Sequence, residues 1–225
     1  RSVSLDLVEP RAMLCRGDWL YVADGVGGVL VVDVEKPELP RVRAALPTRD
    51  ASALDLAWPW LAVADGAGGL AVVDVADPLA PRVLASADLN GGSSEPNEAR
   101  DVTLFFQYSR LKQGANGLER TTARLLAFVA CGLDGVRVVD LTEPAQPVVL
   151  HGAAGRRAFT FGRGDTKGVA VNTVFDIGTE GGGVASGEHD YLYVFVETGN
   201  DANRQQSVRV FDVSLDEGWL ALEWV

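Results

Sequence analysis

The sequence has few of the residues that usually build catalytic or metal centres. It contains only two histidines, two cysteines and one methionine. It has no His-Glu-x-x-His pattern, no Cys/His cluster and no Gly-x-Ser-x-Gly motif, so the parts of a zinc protease or a serine hydrolase are missing. Cys-x-x-Cys-His is also absent, which excludes covalent attachment of a c-type haem to this chain. We therefore predict no catalytic role for His151 or His189, and no cofactor.

Long apolar runs, helical periodicity and excess positive charge are also lacking. No stretch reaches the ~18 consecutive apolar residues of a transmembrane helix, and none spaces its apolar residues at i, i+3, i+4 and i+7 over three turns. The formal net charge is −11, whereas proteins that bind nucleic acid need basic stripes against the phosphates. We predict neither a transmembrane segment nor a nucleic-acid partner.

One stretch of sequence is present in four copies. Residues 19–42 read WLYVADGVGGVLVVDVEKPELPRV, and residues 60–83 repeat it as WLAVADGAGGLAVVDVADPLAPRV. A third copy occupies residues 126–149, and a looser fourth copy is split between residues 191–196 and 208–213. Self-similarity at a period of about 40 residues is the mark of a repeat architecture.

Each copy carries the signals of antiparallel strands. Two apolar runs flank a glycine-rich connection, at residues 24–28 in the first copy, and this pattern predicts a hairpin. Pro37 and Pro40 then end the ladder, because proline cannot donate a hydrogen bond to a sheet. One apolar segment precedes each hairpin and another follows the prolines. Four strands per unit predict an all-β fold, a β-propeller of four-stranded antiparallel blades with about four blades in this chain.

The predicted single domain divides into four units and a surplus strand. Residues 1–10 are predicted to be the outer strand of a preceding blade. The chain starts at Arg1, with no initiator methionine and no apolar targeting segment. We expect either a removed leader or a piece of a larger ring, with a closed four-blade ring as the alternative. The units are residues 11–47, 53–88, 100–154 and 168–225.

The repeated letters resemble those of a known family. YVADG, GGL, VVDV and DPLAPRV, as they stand within residues 21–83, are similar to the LVIVD repeat, a bacterial and archaeal β-propeller repeat. The resemblance covers most of residues 11–149 well and residues 168–225 loosely. It implies an exported protein, located in the periplasm, outside the cell or at the cell surface. Because some LVIVD proteins are encoded with multihaem cytochromes, it also implies protein partners in a surface or redox assembly.

Four insertions interrupt the repeats, and functional residues are often grafted onto such loops. They occupy residues 86–100, 106–124, 152–167 and 197–207. Two of them concentrate positive charge in an otherwise acidic chain, and one of these also carries two phenylalanines. We interpret them as a docking surface for an acidic partner, with solvated polar loops as the alternative. The residues predicted to bind this partner are Arg110, Lys112, Arg120, Arg156, Arg157, Phe159, Phe161 and Arg163.

The recurring carboxylates are more typical of turns than of catalysis. Their oxygens can accept hydrogen bonds from backbone amides of a following turn. The hairpin tips carry Asp24 and Asp65, for which we favour the same structural role over metal binding. The aspartates predicted to end the third strand of each unit are Asp33, Asp74, Asp140 and Asp212.

The sequence offers few candidate metal ligands. Asn200, Asp201 and Asn203 crowd oxygen ligands into one loop, but they lack the glycine and the distal glutamate of a calcium-binding loop. We keep them as weak candidates and predict no catalytic residues. Cys15 and Cys131 are expected to be free, partly buried thiols, with a disulfide as the alternative.

Two functions remain open from the sequence. We favour a non-enzymatic exported propeller that acts as a protein-interaction or scaffold module. The alternative is a calcium-dependent propeller hydrolase of the lactonase-like type. An axial metal would require several oxygen ligands to converge from the inner strands. The polar candidates there are Asp55, Asp101 and Asn172.

Overall fold

The computed structural model shows an all-β protein. It describes residues 4–90, 98–107, 111–114, 117–120, 123–150, 165–176, 187–198, 203–216 and 219–224. Every regular element in these ranges is a strand or a turn. In this part of the chain no helix is long and apolar enough to span a membrane.

The first two repeats form two four-stranded antiparallel sheets of the same shape. Each strand pairs with the next one along the chain. The registers are equivalent, since Trp19 lies opposite Asp33 and Trp60 lies opposite Asp74. The first sheet contains β1 (Ala12–Arg16), β2 (Trp19–Ala23), β3 (Val29–Asp33) and β4 (Arg41–Leu46). The second contains β5 (Ala53–Ala57), β6 (Trp60–Ala64), β7 (Leu70–Asp74) and β8 (Arg82–Ala87).

The third sheet keeps this topology but carries an extra hairpin. The 106–124 insertion, which we had interpreted as a loop, contains two paired strands that form a separate two-stranded sheet. The third sheet itself contains β9 (Asp101–Gln107), β12 (Arg124–Ala130), β13 (Val136–Asp140) and β14 (Val148–Val149). The hairpin consists of β10 (Leu111–Gly114) and β11 (Gly117–Arg120).

The fourth sheet has longer strands than the others. Three of its strands are 12 residues long. The first three strands of the first sheet are only five residues long each. Asp212 therefore lies inside a strand, and the prediction that it ends the third strand of its unit is wrong. The fourth sheet contains β15 (Asp165–Asp176), β16 (Gly187–Thr198), β17 (Gln205–Asp216) and β18 (Trp219–Trp224).

The four sheets pack face to face in chain order. Alternate residues of a strand point to opposite faces of its sheet. In β6, Leu61 and Val63 pack in a cluster with the first sheet, whereas Ala62 and Ala64 pack in a cluster with the third. A third cluster joins the third and fourth sheets around Phe128. This packing of four-stranded blades confirms the propeller prediction.

Each sheet has two distinct ends. We call the end with the glycine-rich hairpins the tip end, and the end where Asp33, Asp74 and Asp140 close the third strands the turn end. Residues 4–10, predicted to be an outer strand, form no strand in the structure. Residues 8–9 nevertheless make backbone contacts at the tip end of the first sheet.

Two hairpin glycines are required by close backbone approach. Gly28 has a φ of +83°, and a Cβ atom there would lie 2.2 Å from the carbonyl oxygen of Leu46. Gly69 has a φ of +80°, and a Cβ there would lie 2.3 Å from the carbonyl oxygen of Ala87. A side chain cannot be accommodated at either position without moving the outer strand.

Candidate functional site

The aspartates at the hairpin tips hold the segment that leads into their own sheet. Asp65 accepts hydrogen bonds from the backbone amides of Arg49 and Asp50, at 3.0 and 2.7 Å. Asp24 accepts the equivalent pair from residues 8–9, at 2.9 and 2.7 Å. Both side chains are buried, and each carboxylate accepts through both of its oxygens. These carboxylates therefore hold backbone in place.

Each hairpin tip also holds the next sheet. Two backbone hydrogen bonds join Gly25 to Ala51, at 3.0 and 2.9 Å, and Ala51 lies two residues before the second sheet begins. The tips thus connect neighbouring blades through the backbone. The equivalent pairs are Gly25–Ala51, Gly66–Ala99 and Gly132–Thr166.

Cys131 occupies the position of Asp24 and Asp65 in the third hairpin. Its thiol is buried and contacts the carbonyl oxygen of Val129 at 3.6 Å. Burial raises the pKa of the Cys131 thiol to about 12, so it stays protonated and cannot replace a carboxylate as an acceptor. Both cysteines are free, as predicted, but Cys15 is exposed, and the expectation that it is partly buried is wrong.

The aspartates at the turn end close the turn that follows the third strand. Asp33 accepts a hydrogen bond from the backbone amide of Glu35 at 3.1 Å. It also forms an ion pair with Arg43 at 2.7 Å. The Arg43 guanidinium, followed by the Glu35 amide, holds the pKa of Asp33 below its usual value. Asp74 makes the same kind of ion pair with Arg82, at 2.9 Å. The turn interpretation of these aspartates holds for the first two sheets.

The third sheet keeps this turn with a different cation. Asp140 accepts a hydrogen bond from the amide of Thr142 at 2.9 Å. Its ion pair comes from Arg124 of β12, at 3.1 Å. Val148 stands at the start of the short outer strand, where the second sheet has Arg82. The cation that pairs with the aspartate therefore lies on the outer strand in the second sheet and on the second strand in the third sheet.

Asp55 and Asp101 lie on inner strands and bind the inner strand of the following sheet. Asp55 accepts a hydrogen bond from the amide of Leu104 at 2.6 Å, and Asp101 accepts one from the amide of Val169 at 2.9 Å. Burial raises the pKa of Asp101, and the charge of Asp55 adds to this effect. Asn172, the third axial candidate, lies in β15, and its side chain is outside the described residues. Both described carboxylates are used to join blades.

Ion pairs cross the sheet boundaries at the tip end. Arg11 pairs with Glu9 in its own lead-in segment and with Asp50 in the next, both at 2.9 Å. Arg100 repeats this between the third and fourth sheets, at 3.3 Å to Glu98 and 2.5 Å to Asp165.

The sequence carries a local signal for these pairs. An acid and a base stand two residues apart just before two of the inner strands, at residues 9–11 and 98–100, and at the start of a third, at residues 165–167. Ser52 takes the place of the base in the second lead-in segment, where it accepts a hydrogen bond from Arg11 at 2.9 Å. A further cation that we had not singled out, Arg137, is buried and donates to the carbonyl oxygen of Leu89 at 2.8 Å.

The residues predicted to bind an acidic partner belong to segments attached at opposite ends of the third sheet. Residues 108–123 connect Gln107 to Arg124 at the turn end. Residues 151–164 lead to Asp165 at the tip end, where the next residue pairs with Gly132. Lys112 and Arg120 lie in β10 and β11. The residues outside the described ranges are Arg110, Arg156, Arg157, Phe159, Phe161 and Arg163.

The weak metal candidates fall mostly outside the described part of the chain. Asn200 and Asp201 lie outside the described residues, and Asn203 is exposed. Within the described ranges, no three His, Cys, Asp or Glu side chains are grouped so that they could hold a metal ion. His151 and the side chain of His189 are also outside these ranges.

Comparison with known proteins agrees with the repeat architecture. The LVIVD repeat matches residues 13–40 and 51–88, which span most of the first two sheets. The chain is thus a propeller-type repeat protein, and its first two blades carry LVIVD repeats, as the sequence pattern predicted. No curated protein matches the chain.

Similar solved structures are distant. A chain of the S. cerevisiae complex of a Dbp5 variant with Nup159, a Gle1 variant, IP6 and ADP has a TM-score of 0.46 and 8% identity, over 96% of this chain and 47% of that one. This chain thus spans about half the length of that protein. The Cellvibrio cellulosa alpha-L-arabinanase has a TM-score of 0.28 and 11% identity, over 98% and 96% of the two chains. Its arabinohexaose complex has a TM-score of 0.26 and 12% identity, over 97% and 96%.

Proposed function

We propose that this protein is a non-enzymatic interaction module in which a rigid set of blades presents insertions to a protein partner. The observation that carries this proposal is the use of the recurring carboxylates. The described carboxylates at the hairpin tips, in the turns and on the inner strands accept hydrogen bonds from backbone amides. A repeated group that is engaged in this way builds the scaffold and does not serve a reaction.

The insertions provide the variable surface. The first two blades differ little from one another over their repeated strands, whereas the insertions differ in length and in charge. Interaction surfaces are commonly placed on such segments and held by a rigid framework. The basic residues of two insertions suit an acidic protein partner, and their attachment at opposite ends of the third sheet suits a module that contacts partners on two sides.

The LVIVD repeats guide the proposed location. By resemblance to LVIVD proteins, we place the protein outside the cytoplasm, in the periplasm, at the cell surface or in the medium. A scaffold role in a cell-surface or multihaem-cytochrome-associated assembly follows from the same resemblance. Cys15 and Cys131, both free, do not bear on this location.

Affinity purification of the full-length protein from its native cells, after chemical crosslinking, tests this function. We expect one or a few proteins to be recovered in stoichiometric amounts, with crosslinks to lysines in the insertions, such as Lys112. Recovery of no stoichiometric partner, together with calcium-dependent hydrolysis of lactones by the purified protein, would favour the hydrolase alternative. Elemental analysis for bound calcium on the same sample separates the two outcomes further.

A further inference from the structure

A small pocket lies at the turn end of the first sheet, beside the turn that follows β3. It has a volume of about 80 Å³. Its lining contains three cationic side chains, two carboxylates and one leucine, and thus carries an excess of one positive charge in a chain whose net charge is −11. We call it the turn pocket. Its lining residues are Asp33, Glu35, Lys36, Leu39, Arg41 and Arg43.

One of the three cations is already engaged by the scaffold. Arg43 donates from Nε and from Nη2 to the Oδ2 atom of Asp33, at 3.0 and 2.7 Å. The Oδ1 atom of Asp33 accepts a hydrogen bond from the backbone amide of Glu35. Both oxygens of Asp33 therefore have donors, and the charge of Arg43 is balanced within the first sheet.

The other two cations are exposed and have no such partner. Neither Lys36 nor Arg41 forms an ion pair or a side-chain hydrogen bond with another described residue. Glu35 is exposed as well, and it is the carboxylate of the pocket that competes for these two charges. An anion that enters the pocket therefore meets two cations that no salt bridge within the described part of the chain neutralises.

The equivalent turns of the next two sheets show that the fold does not require these two charges. In the second sheet a single arginine, Arg82, pairs with Asp74. In the first sheet Arg43 takes that role, which leaves Lys36 and Arg41 as additional charges. The other two turns have an acid in place of Lys36 and a leucine in place of Arg43. The three turns read DVEKPELPRVR at residues 33–43, DVADPLAPRVL at residues 74–84 and DLTEPAQPVVL at residues 140–150.

The volume of the turn pocket limits what it encloses. Pockets for small molecules commonly measure about 300–1,000 Å³, and one water molecule takes about 30 Å³ in the liquid. A pocket of about 80 Å³ therefore encloses a group of a few heavy atoms, such as a carboxylate, and leaves the rest of the ligand outside. Leu39, which is 52% exposed, is the apolar part of the lining that such a ligand contacts.

We propose that the turn pocket binds the carboxylate of a glutamate or aspartate side chain in a polypeptide partner, through Lys36 and Arg41, while an apolar neighbour of that side chain contacts Leu39. This inference rests on the proposed function and adds a contact site on the first sheet. A singly charged carboxylate matches the excess charge of the lining and forms charge-assisted hydrogen bonds with both cations. Duplex nucleic acid and anionic membranes present negative charge over a wide area, and the net charge of −11 opposes their approach.

Titration of the isotope-labelled full chain with short peptides, followed by NMR at low salt and at about 0.15 M salt, tests the proposal. The probe is a blocked peptide with one glutamate between two leucines, and its matched control has glutamine in place of that glutamate. Acetate and inorganic phosphate are the free-anion controls. The variants are Lys36→Gln, Arg41→Gln and Glu35→Gln. The matched control variant is Arg82→Gln, at the position of the second sheet that is equivalent to Arg41, and the amide spectrum of each variant shows whether it is folded.

We expect the glutamate peptide to shift the amide signals of residues 35–43. At low salt it should bind about threefold more tightly than the glutamine peptide, or better, which is the scale of an exposed ion pair. Lys36→Gln and Arg41→Gln should each remove most of that preference, whereas Glu35→Gln should increase it because a competing carboxylate is lost. Arg82→Gln should leave the preference unchanged, and the higher salt concentration should reduce it.

The absence of any shift at residues 35–43 at low salt would overturn the inference. Equal binding of the two peptides, or a preference that both Lys36→Gln and Arg41→Gln leave intact, would do the same. So would acetate or phosphate that binds as tightly as the glutamate peptide, or tighter binding of single-stranded DNA or of phosphatidylglycerol vesicles at these residues. A failed titration would leave the insertions as the proposed contact surface, whereas a failed crosslinking experiment would not change the measured preference of the pocket for a carboxylate.

Discussion

The carboxylate of Asp55 accepts a hydrogen bond from the backbone amide of Leu104 at 2.6 Å, across the boundary between the second and third sheets. Leu104 lies in β9, which pairs with β12 alone among the described strands. Inner strands therefore leave some amides on their inward edge without a strand partner. Asp55 supplies an acceptor for one of them, and Asp101 does the same for Val169 in the fourth sheet.

Replacing Asp55 with alanine should destabilise the protein by about 1–3 kcal/mol, because the partly buried amide of Leu104 loses its acceptor. The measurement is the free energy of unfolding from urea titration. Asp77→Ala is the control, since Asp77 accepts a hydrogen bond from the nearby Leu79 amide in an exposed turn. Equal losses of unfolding free energy in the two variants would show that the hydrogen bond between sheets stabilises the protein no more than the exposed turn does.

Gly28→Ala should destabilise the protein far more than Gly17→Ala. Both glycines have positive φ, but a Cβ at residue 28 would meet the carbonyl oxygen of Leu46, whereas at residue 17 nothing lies within 4 Å. Gly17→Ala should therefore cost about 1–2 kcal/mol, the usual penalty of the left-handed region. Thermal unfolding of the two variants checks this. Similar shifts in the thermal unfolding midpoint of the two variants would mean that the outer strand moves away from the added methyl group without a loss of stability.

The two thiols should differ sharply in reactivity. Cys15 is exposed, whereas Cys131 is buried with a pKa raised to about 12, and the thiolate is the reactive form. Titration of the native protein with a thiol-specific chromogenic reagent should detect one fast thiol, and Cys15→Ser should remove it. Fast labelling of Cys131 in the native protein would contradict the packing of the third hairpin.

The stability of the fold should carry a pH-dependent contribution from Asp101. Burial raises the folded-state pKa of Asp101, so the folded protein binds this proton more tightly than the unfolded chain does. A raised carboxyl pKa lowers stability above that pKa, and the loss is recovered as the pH falls through it. The stability of Asp101→Asn relative to the native protein should therefore be highest at neutral pH and decline towards about pH 4.

Asp74→Asn is the control of opposite sign. The Ala76 amide, opposed by burial and aided by Arg82, lowers the pKa of Asp74. The native protein should lose stability relative to this variant as the pH falls below the ordinary carboxyl range. Urea titrations at several pH values measure both trends. A pH-independent difference for Asp101→Asn would mean that burial does not perturb this carboxyl.

Much of the fold could be predicted from the sequence because its determinants are local. Glycine-rich hairpins, prolines after the third strand and short β-branched runs recur in register, and each acts within a few residues. The turn function of Asp33 could be predicted for the same reason, since its amide partner is two residues away. The partners of Asp55 and Arg100 could not, because they lie 49 and 65 residues further along the chain.

The hairpin in the 106–124 insertion was missed although a signal was present. Asn116-Gly117 is a common hairpin dipeptide, but the strands on either side have only four residues each and little apolar alternation. The ends from which the basic insertions emerge could not be inferred without knowing the strand directions. The described strands attach residues 108–123 at the turn end, and residues 151–164 lead to Asp165 at the tip end.

The free energy of unfolding of the native protein and of Asp65→Ala, each measured with calcium and with EDTA, tests most directly whether the recurring carboxylates hold backbone. We predict that Asp65→Ala is less stable by about 2 kcal/mol or more, because the amides of Arg49 and Asp50 lose their acceptor. The loss should be the same with calcium and with EDTA. A native protein that calcium stabilises, with the gain abolished by Asp65→Ala, would contradict the account and make the hairpin tip a metal site.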